Sequence, residues 1–289
     1  MRLRKHAFCA FLFAAMSAAW ASVASAGPIV YGQRSDGAIL AFDTDSGTDQ
    51  FLGHSDIYRE SGLALGTNNL LFGVRSDGAV ISFDLNTGID SFLGHSDFHE
   101  SSSLVIGNNG ILYGQRVDGA ILAFDTNTGI DSFLGHSDFY EAGGLTIGSN
   151  GLLYGQRVDG AILSFNLDSG VGQFLGHSDF HESGSIVLGE NGLLYGQRVD
   201  GAILSFDPNT GIDSFLGHSD FHKDGGLALG ANGLLFGQRV DGALLSFDTV
   251  NGNNDVFLGH ADFFPSGSLV ISSVPEPSSV LLILLGLTG

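Results

Sequence analysis

The chain of 289 residues has one cysteine and one tryptophan, Cys9 and Trp20, and both fall in its first 26 residues. Beyond that stretch no disulfide can form, so an oxidising compartment neither helps nor harms the fold. Positive charge is scarce as well. Three of the 11 basic residues also lie in the first 26, leaving 8 against 31 acidic residues, a net charge of −23. Such a balance disfavours nucleic acid and anionic membrane surfaces as partners, and suits a soluble extracellular protein or one that meets divalent cations. Between residues 27 and 272 no apolar run is long enough for an ordinary helix.

What the chain does have is one sentence written six times. A Tyr/Phe-Gly anchor falls at Tyr31, Phe72, Tyr113, Tyr154, Tyr195 and Phe236, 41 residues apart each time. A fixed period of this length marks a repeat architecture. In the unit around Tyr195, four short apolar runs (Ser185–Leu188, Leu193–Arg198, Ala202–Asp207 and Ser214–His218) are separated by Asn-Gly, Asp-Gly and Asn-Thr-Gly turns. Gly and Asn tolerate the positive φ of tight hairpins, so each unit reads as a four-stranded antiparallel meander. One such sheet cannot bury both faces, whereas six arranged radially can. The fold predicted is all-β, a six-bladed β-propeller. The repeat region begins in phase with a second strand (Ile29–Gly32) and ends with a first strand (Ser268–Ile271). The N- and C-terminal strands are therefore expected to pair and close the ring. The phenylalanines Phe165, Phe206, Phe174 and Phe215 are expected between blades. The extra residue in Asn251–Asp255 is expected in a turn.

Residues 1–26 read as a secretion signal: Arg2, Arg4 and Lys5, an apolar run Ala7–Val23, then Ala24-Ser25-Ala26 before Gly27 as the cleavage pattern. Residues 273–289 form a Pro-containing linker and a short Leu-rich run, about half of the ~20 residues a spanning helix needs. Here Val274-Pro275-Glu276-Pro277-Ser278 resembles the PEP-CTERM sorting signal of bacterial exosortase substrates, although no basic cluster follows the apolar run. The resemblance implies an exosortase-type processing enzyme as a partner, acting near Pro275, Glu276 and Pro277, and an address in the cell envelope or extracellular matrix. A second resemblance lies in the blades. Leu194-Tyr195-Gly196, Asp200-Gly201-Ala202-Ile203 and Phe206-Asp207-Pro208-Asn209-Thr210-Gly211 with Phe215 are similar to a PQQ-type propeller repeat, Phe standing for its docking Trp. The quinone itself is not implied, because the tryptophans and paired cysteines that surround it in that family are absent.

In a propeller, the loops from second to third strand and from outer strand to the next blade open on one face. Here they carry the polar residues. The first loop holds Arg34, Arg75, Arg116, Arg157, Arg198 and Arg239, each two residues before an Asp. The second holds His54, His95, His136, His177, His218 and His260, with Asp56, Asp97, Asp138, Asp179, Asp220 and Asp262 two residues on. For each Arg the alternatives are a salt bridge that keeps blades in register or a fork donor to sugar hydroxyls or a carboxylate. For each His-Ser-Asp they are a tie between outer strand and loop, or a sugar or metal ligand. The set His177, Asp179, His181 and Glu182 has helical zinc spacing but lies in a loop, so no zinc site is expected. Asp125–Asp131 echoes a calcium loop without its terminal glutamate and reads as a turn, and bound calcium elsewhere on the acidic surface stays open. No nucleophile–base pair stands apart from its five copies, whereas an enzyme needs an asymmetric constellation. The expectation is a secreted, monomeric, non-enzymatic module that binds extracellular polysaccharide at several equivalent sites. A structural or protein-interaction scaffold bound to envelope proteins is the alternative, and a hydrolase or lyase in the central channel is the weakest reading.

Overall fold

The computed structural model describes residues 27–252 and 255–272. Positions 1–26 and 273–289, which hold the expected secretion signal and sorting motif, lie outside the described residues. So do positions 253 and 254 of the expected turn insertion.

The described residues form a six-bladed β-propeller of six four-stranded antiparallel sheets. In the blade around Tyr195 the strands run outward as Val187–Leu188, Leu194–Gln197, Ala202–Asp207 and Ile212–His218. The ring closes as the phase of its ends predicts. Val30, Tyr31 and Gly32 pair with Ile271, Val270 and Leu269, and Ser272 N–H donates to the Ile29 carbonyl at 3.0 Å. The inner edge of the first blade is thereby covered by the last segment of the repeat.

Each blade buries both faces against its neighbours. Phe42, Phe83, Phe124, Phe165, Phe206 and Phe247 of the third strands are fully enclosed. A buried Gln ties most blades to the loop that follows: Gln115 Nε2 donates to the Phe139 carbonyl at 2.9 Å, and Gln33, Gln156, Gln197 and Gln238 make the equivalent bond. Val74 takes this place in the second blade.

Beneath the sixfold repeat lies a twofold-larger one. Gly62, Gly144 and Gly226 donate N–H to the carbonyls of Ser102, Gly184 and Gly267 in the next blade, at 3.0, 3.1 and 2.9 Å. The same position in the intervening blades holds Ser103, Ser185 and Ser268. A Cβ on Gly144 would lie 2.3 Å from the Ile186 nitrogen, so only glycine permits this approach. The larger apolar clusters join the same blade pairs, for example Phe72 and Val80 with Leu112 and Phe124.

One irregularity recurs in every blade. Leu204 pairs with Phe215 but Ile203 pairs with Gly217, leaving Leu216 as an extra residue on the outer strand. All six outer strands carry this bulge. A bulge of this kind interrupts the exposed edge ladder and blunts it against pairing with other chains.

Candidate functional site

The bulge decides what the rim presents. Side chains three apart in a regular strand point to opposite faces, and one extra residue restores them to the same face. Leu216 turns toward the apolar cluster beside Phe247, and Phe215 and His218 come together on the outside. Phe215 and Phe174 are 58% and 53% exposed, so these two do not pack between blades as expected; Phe165 and Phe206 do. The same exposure holds for Phe51, Phe92, Phe133 and Phe257. Each meets the His three residues on, edge to face, with ring centroids 5.0–5.3 Å apart and planes inclined by 63–65°.

The histidines therefore do not tie the outer strand to its loop. Ser and Asp of the same loop bond instead within the loop and across to the next blade. Ser55 Oγ accepts from Ile57 N–H at 3.2 Å, and Asp56 N–H donates to Asp90 of the next blade's outer strand at 2.7 Å. The bond repeats from Asp179 to Asp213 and from Asp220 to Asp255, while Ser96 Oγ donates to Asp131. Burial raises the carboxyls of Asp90, Asp213 and Asp255, partly offset by the N–H each accepts. Gly172 occupies the equivalent place in the fourth blade.

Every arginine of the first loop forms a fork with the Asp two residues on. In the third blade Arg116 Nε and Nη2 donate to the two carboxylate oxygens of Asp118 at 2.8 and 2.6 Å. The hairpin sets this geometry locally. Gly119 sits at φ +83°, and Asp118 also accepts from Ala120 N–H at 3.1 Å. The guanidinium holds Asp118 well below the usual carboxylate range, and the other five fork carboxylates behave likewise. The forks are thus self-contained within a turn. They still reach the previous blade: Arg75, Arg116 and Arg198 lie 3.8, 3.7 and 3.9 Å from Asp56, Asp97 and Asp179. In the first blade the fork carboxylate lies 3.9 Å from His54 Nε2. A line of groups results: a loop Asp, an Arg–Asp fork, a His and an exposed Phe plate. It brings together the three predicted rings and adds the Phe ring that sequence reasoning assigned to the core.

The zinc-spaced set separates. His177 lies against Phe174, Asp179 faces Arg198, and His181 lies 3.5 Å from Asp224, which also holds Lys223. Among the described residues no group of three or more His, Cys, Asp or Glu is placed to hold a metal ion. Asp125 accepts from the N–H groups of Asn127 and Thr128, the turn its sequence suggests. The axial passage, a cavity of about 280 Å³, is walled by aliphatic side chains such as Leu63, Val105, Val187 and Val270. Its polar collar carries Glu60 and Asp224, each beside its own cation, Arg59 at 3.6 Å and Lys223 at 2.9 Å.

No protein family and no curated protein matches the sequence. Among solved structures, a chain of a nidogen/laminin complex is similar, with 11% identity and a TM-score of 0.69, over 86% of this chain and 99% of that one. At that identity the likeness is one of fold alone.

Proposed function

We propose that this propeller is a non-enzymatic, multivalent binding module whose ligand is extracellular polysaccharide, met at the rim and not on the axis. The reading rests on one observation: six solvent-facing Phe plates, each braced by a His and set beside an Arg–Asp fork. A flat apolar ring with polar groups at its margin suits a pyranose, which has C–H groups on its faces and hydroxyls around its edge. An exposed apolar residue on an edge strand is a hazard, and the bulge removes strand pairing as its purpose. Six weak copies on one rigid ring gain avidity on a repetitive polymer without any strong single site. Export and passage to the envelope or matrix follow from the leader and the Pro275-Glu276-Pro277 motif and belong to the same proposal.

The test is equilibrium binding to a panel of polysaccharides, with calcium and with chelator. Saturable binding at several equivalent sites supports the module, and chelator sensitivity would assign calcium a part. A folded chain that binds none of them overturns the reading. The second reading, a scaffold for protein partners, draws on the same exposed Phe ring together with Ile89, Ile130 and Ile212 on the outer strands. The fold neighbour was itself solved as a complex of two proteins. Under that reading, binding to envelope proteins replaces binding to polymers.

A further inference from the structure

The charge around each plate is one-sided. In the third blade a single guanidinium, Arg116, is surrounded by the carboxylates of Asp118, Asp97 and Asp131. The fork uses both oxygens of Asp118, and Asp131 takes the Ser96 hydroxyl. Asp97 keeps only its 3.7 Å approach to Arg116, and its side chain is 76% exposed. Asp56 and Asp179 stand in the same relation to Arg75 and Arg198. In three blades a free anionic oxygen therefore lies beside the strand that carries the plate, since Asp56 and Asp179 bond through their N–H groups to Asp90 and Asp213, two residues before Phe92 and Phe215, on a chain whose formal charge is already −20. An acidic sugar would bring its carboxylate to this margin against like charge. A neutral sugar would leave the aspartate hydrated and unused. A protonated amine on the ring would give it a charge-assisted hydrogen bond.

Resting on the polysaccharide reading, we propose that the rim selects amine-bearing sugars: polymers of hexosamine with free amino groups. The sugar's C–H face would lie on Phe133, its ammonium group at Asp97, and its hydroxyls at His136 and the outer side of the fork. The blades of Phe92 and Phe215 offer the same arrangement, through Asp56 and Asp179, to further residues of one polymer, and Asp97 becomes a specificity-determining residue.

The experiment uses the full chain and four polymers of matched length: poly-glucosamine, its fully N-acetylated form, a neutral glucan and a polyuronate. A linear polyamine without sugar rings is the fifth ligand. Poly-glucosamine is expected to bind at least ~10-fold more tightly than the N-acetylated form at low salt, a margin of a few exposed charge pairs. The margin should shrink as salt rises. The triple substitution Asp56→Asn, Asp97→Asn and Asp179→Asn should bring poly-glucosamine toward the affinity of the N-acetylated polymer, with folding checked by thermal unfolding. Substituting Phe92, Phe133 and Phe215 by Ser should weaken poly-glucosamine and leave the sugar-free polyamine unaffected. Equal affinity for the amine and N-acetyl forms, or tighter binding of the polyuronate, overturns charge selection while the polysaccharide reading stands. Equal binding of the sugar-free polyamine overturns it too, as bulk attraction to an acidic protein. Failure of every sugar polymer overturns both.

Discussion

The Phe133 ring receives the His136 ring edge-on, with centroids 5.0 Å apart and planes inclined by 63°. Edge-to-face contact is a favoured geometry for a ring pair, and here it fixes the orientation of a plate that solvent reaches. The contact exists because the outer strand carries one residue more than its partner.

The plates and the core phenylalanines should respond to mutation in opposite ways. Phe124→Ala removes a fully buried ring and is expected to cost about 3–5 kcal/mol. Phe133→Ala, with its ring already half in water, is expected to change stability by less than about 1 kcal/mol, the scale of one exposed aromatic contact. Chemical denaturation of the two variants checks this. Under the multivalent reading, Phe133→Ala alone should weaken polymer binding without abolishing it, and losses should mount as further plates are removed.

Asp90 gives a pH-dependent prediction. Its carboxyl is pushed up by burial, so the folded state binds its proton more tightly than the unfolded state. Its charge therefore lowers stability at neutral pH, and the burden lifts as pH falls through its raised value. Asp90→Asn keeps an acceptor for Asp56 N–H and sheds the charge, so its melting temperature at pH 7 should equal or exceed that of the wild type. The difference should narrow toward pH 4. Asp90→Ala leaves that N–H without its partner and should cost about 1–3 kcal/mol. Calorimetry of the three proteins at the two pH values decides it.

The forks have the opposite sign. Asp118 is held below the usual range by Arg116, so its pairing contributes stability above the unfolded carboxylate value of about 3.9 and loses it as pH falls further. The pair is exposed, so salt should screen much of the effect. In low salt, Arg116→Gln should lower the melting temperature slightly at pH 7, and the gap to wild type should narrow as pH falls from 4 toward 2.

The alternation between blades predicts an asymmetry between aligned positions. Gly144→Val places side-chain atoms against the Ile186 nitrogen and should destabilise the ring by more than about 2 kcal/mol, as overpacking against backbone does. Ser185→Ala, at the same position one blade on, should be tolerated. Thermal unfolding of both variants tests whether the blades work in pairs.

Much of the architecture follows from the order of residues alone. The 41-residue period, the four apolar runs and the Asp-Gly and Asn-Thr-Gly turns specify the strands, because hairpin chemistry and period-two patterning are local. The offset between Ile29–Gly32 and Leu269–Ile271 specifies closure, since each end supplies what the other lacks. The Arg–Asp fork is local too, its partners being two residues apart in one tight turn. Three features needed the tertiary structure. Phe215 reads as core by composition, and only the pairing of Leu204 with Phe215 and of Ile203 with Gly217 turns it outward. Asp90 carries no signal in its own blade, because the N–H it accepts comes from Asp56, 34 residues earlier on a neighbouring sheet. Gly144 and Ser185 align in the repeat, yet only the packing of successive inner strands shows that one must lack a side chain where the other keeps one. Local sequence sets turns and strands because their hydrogen bonds close within a few residues. Which face an outer side chain takes, and what it meets, is decided by register between strands and by contact between blades.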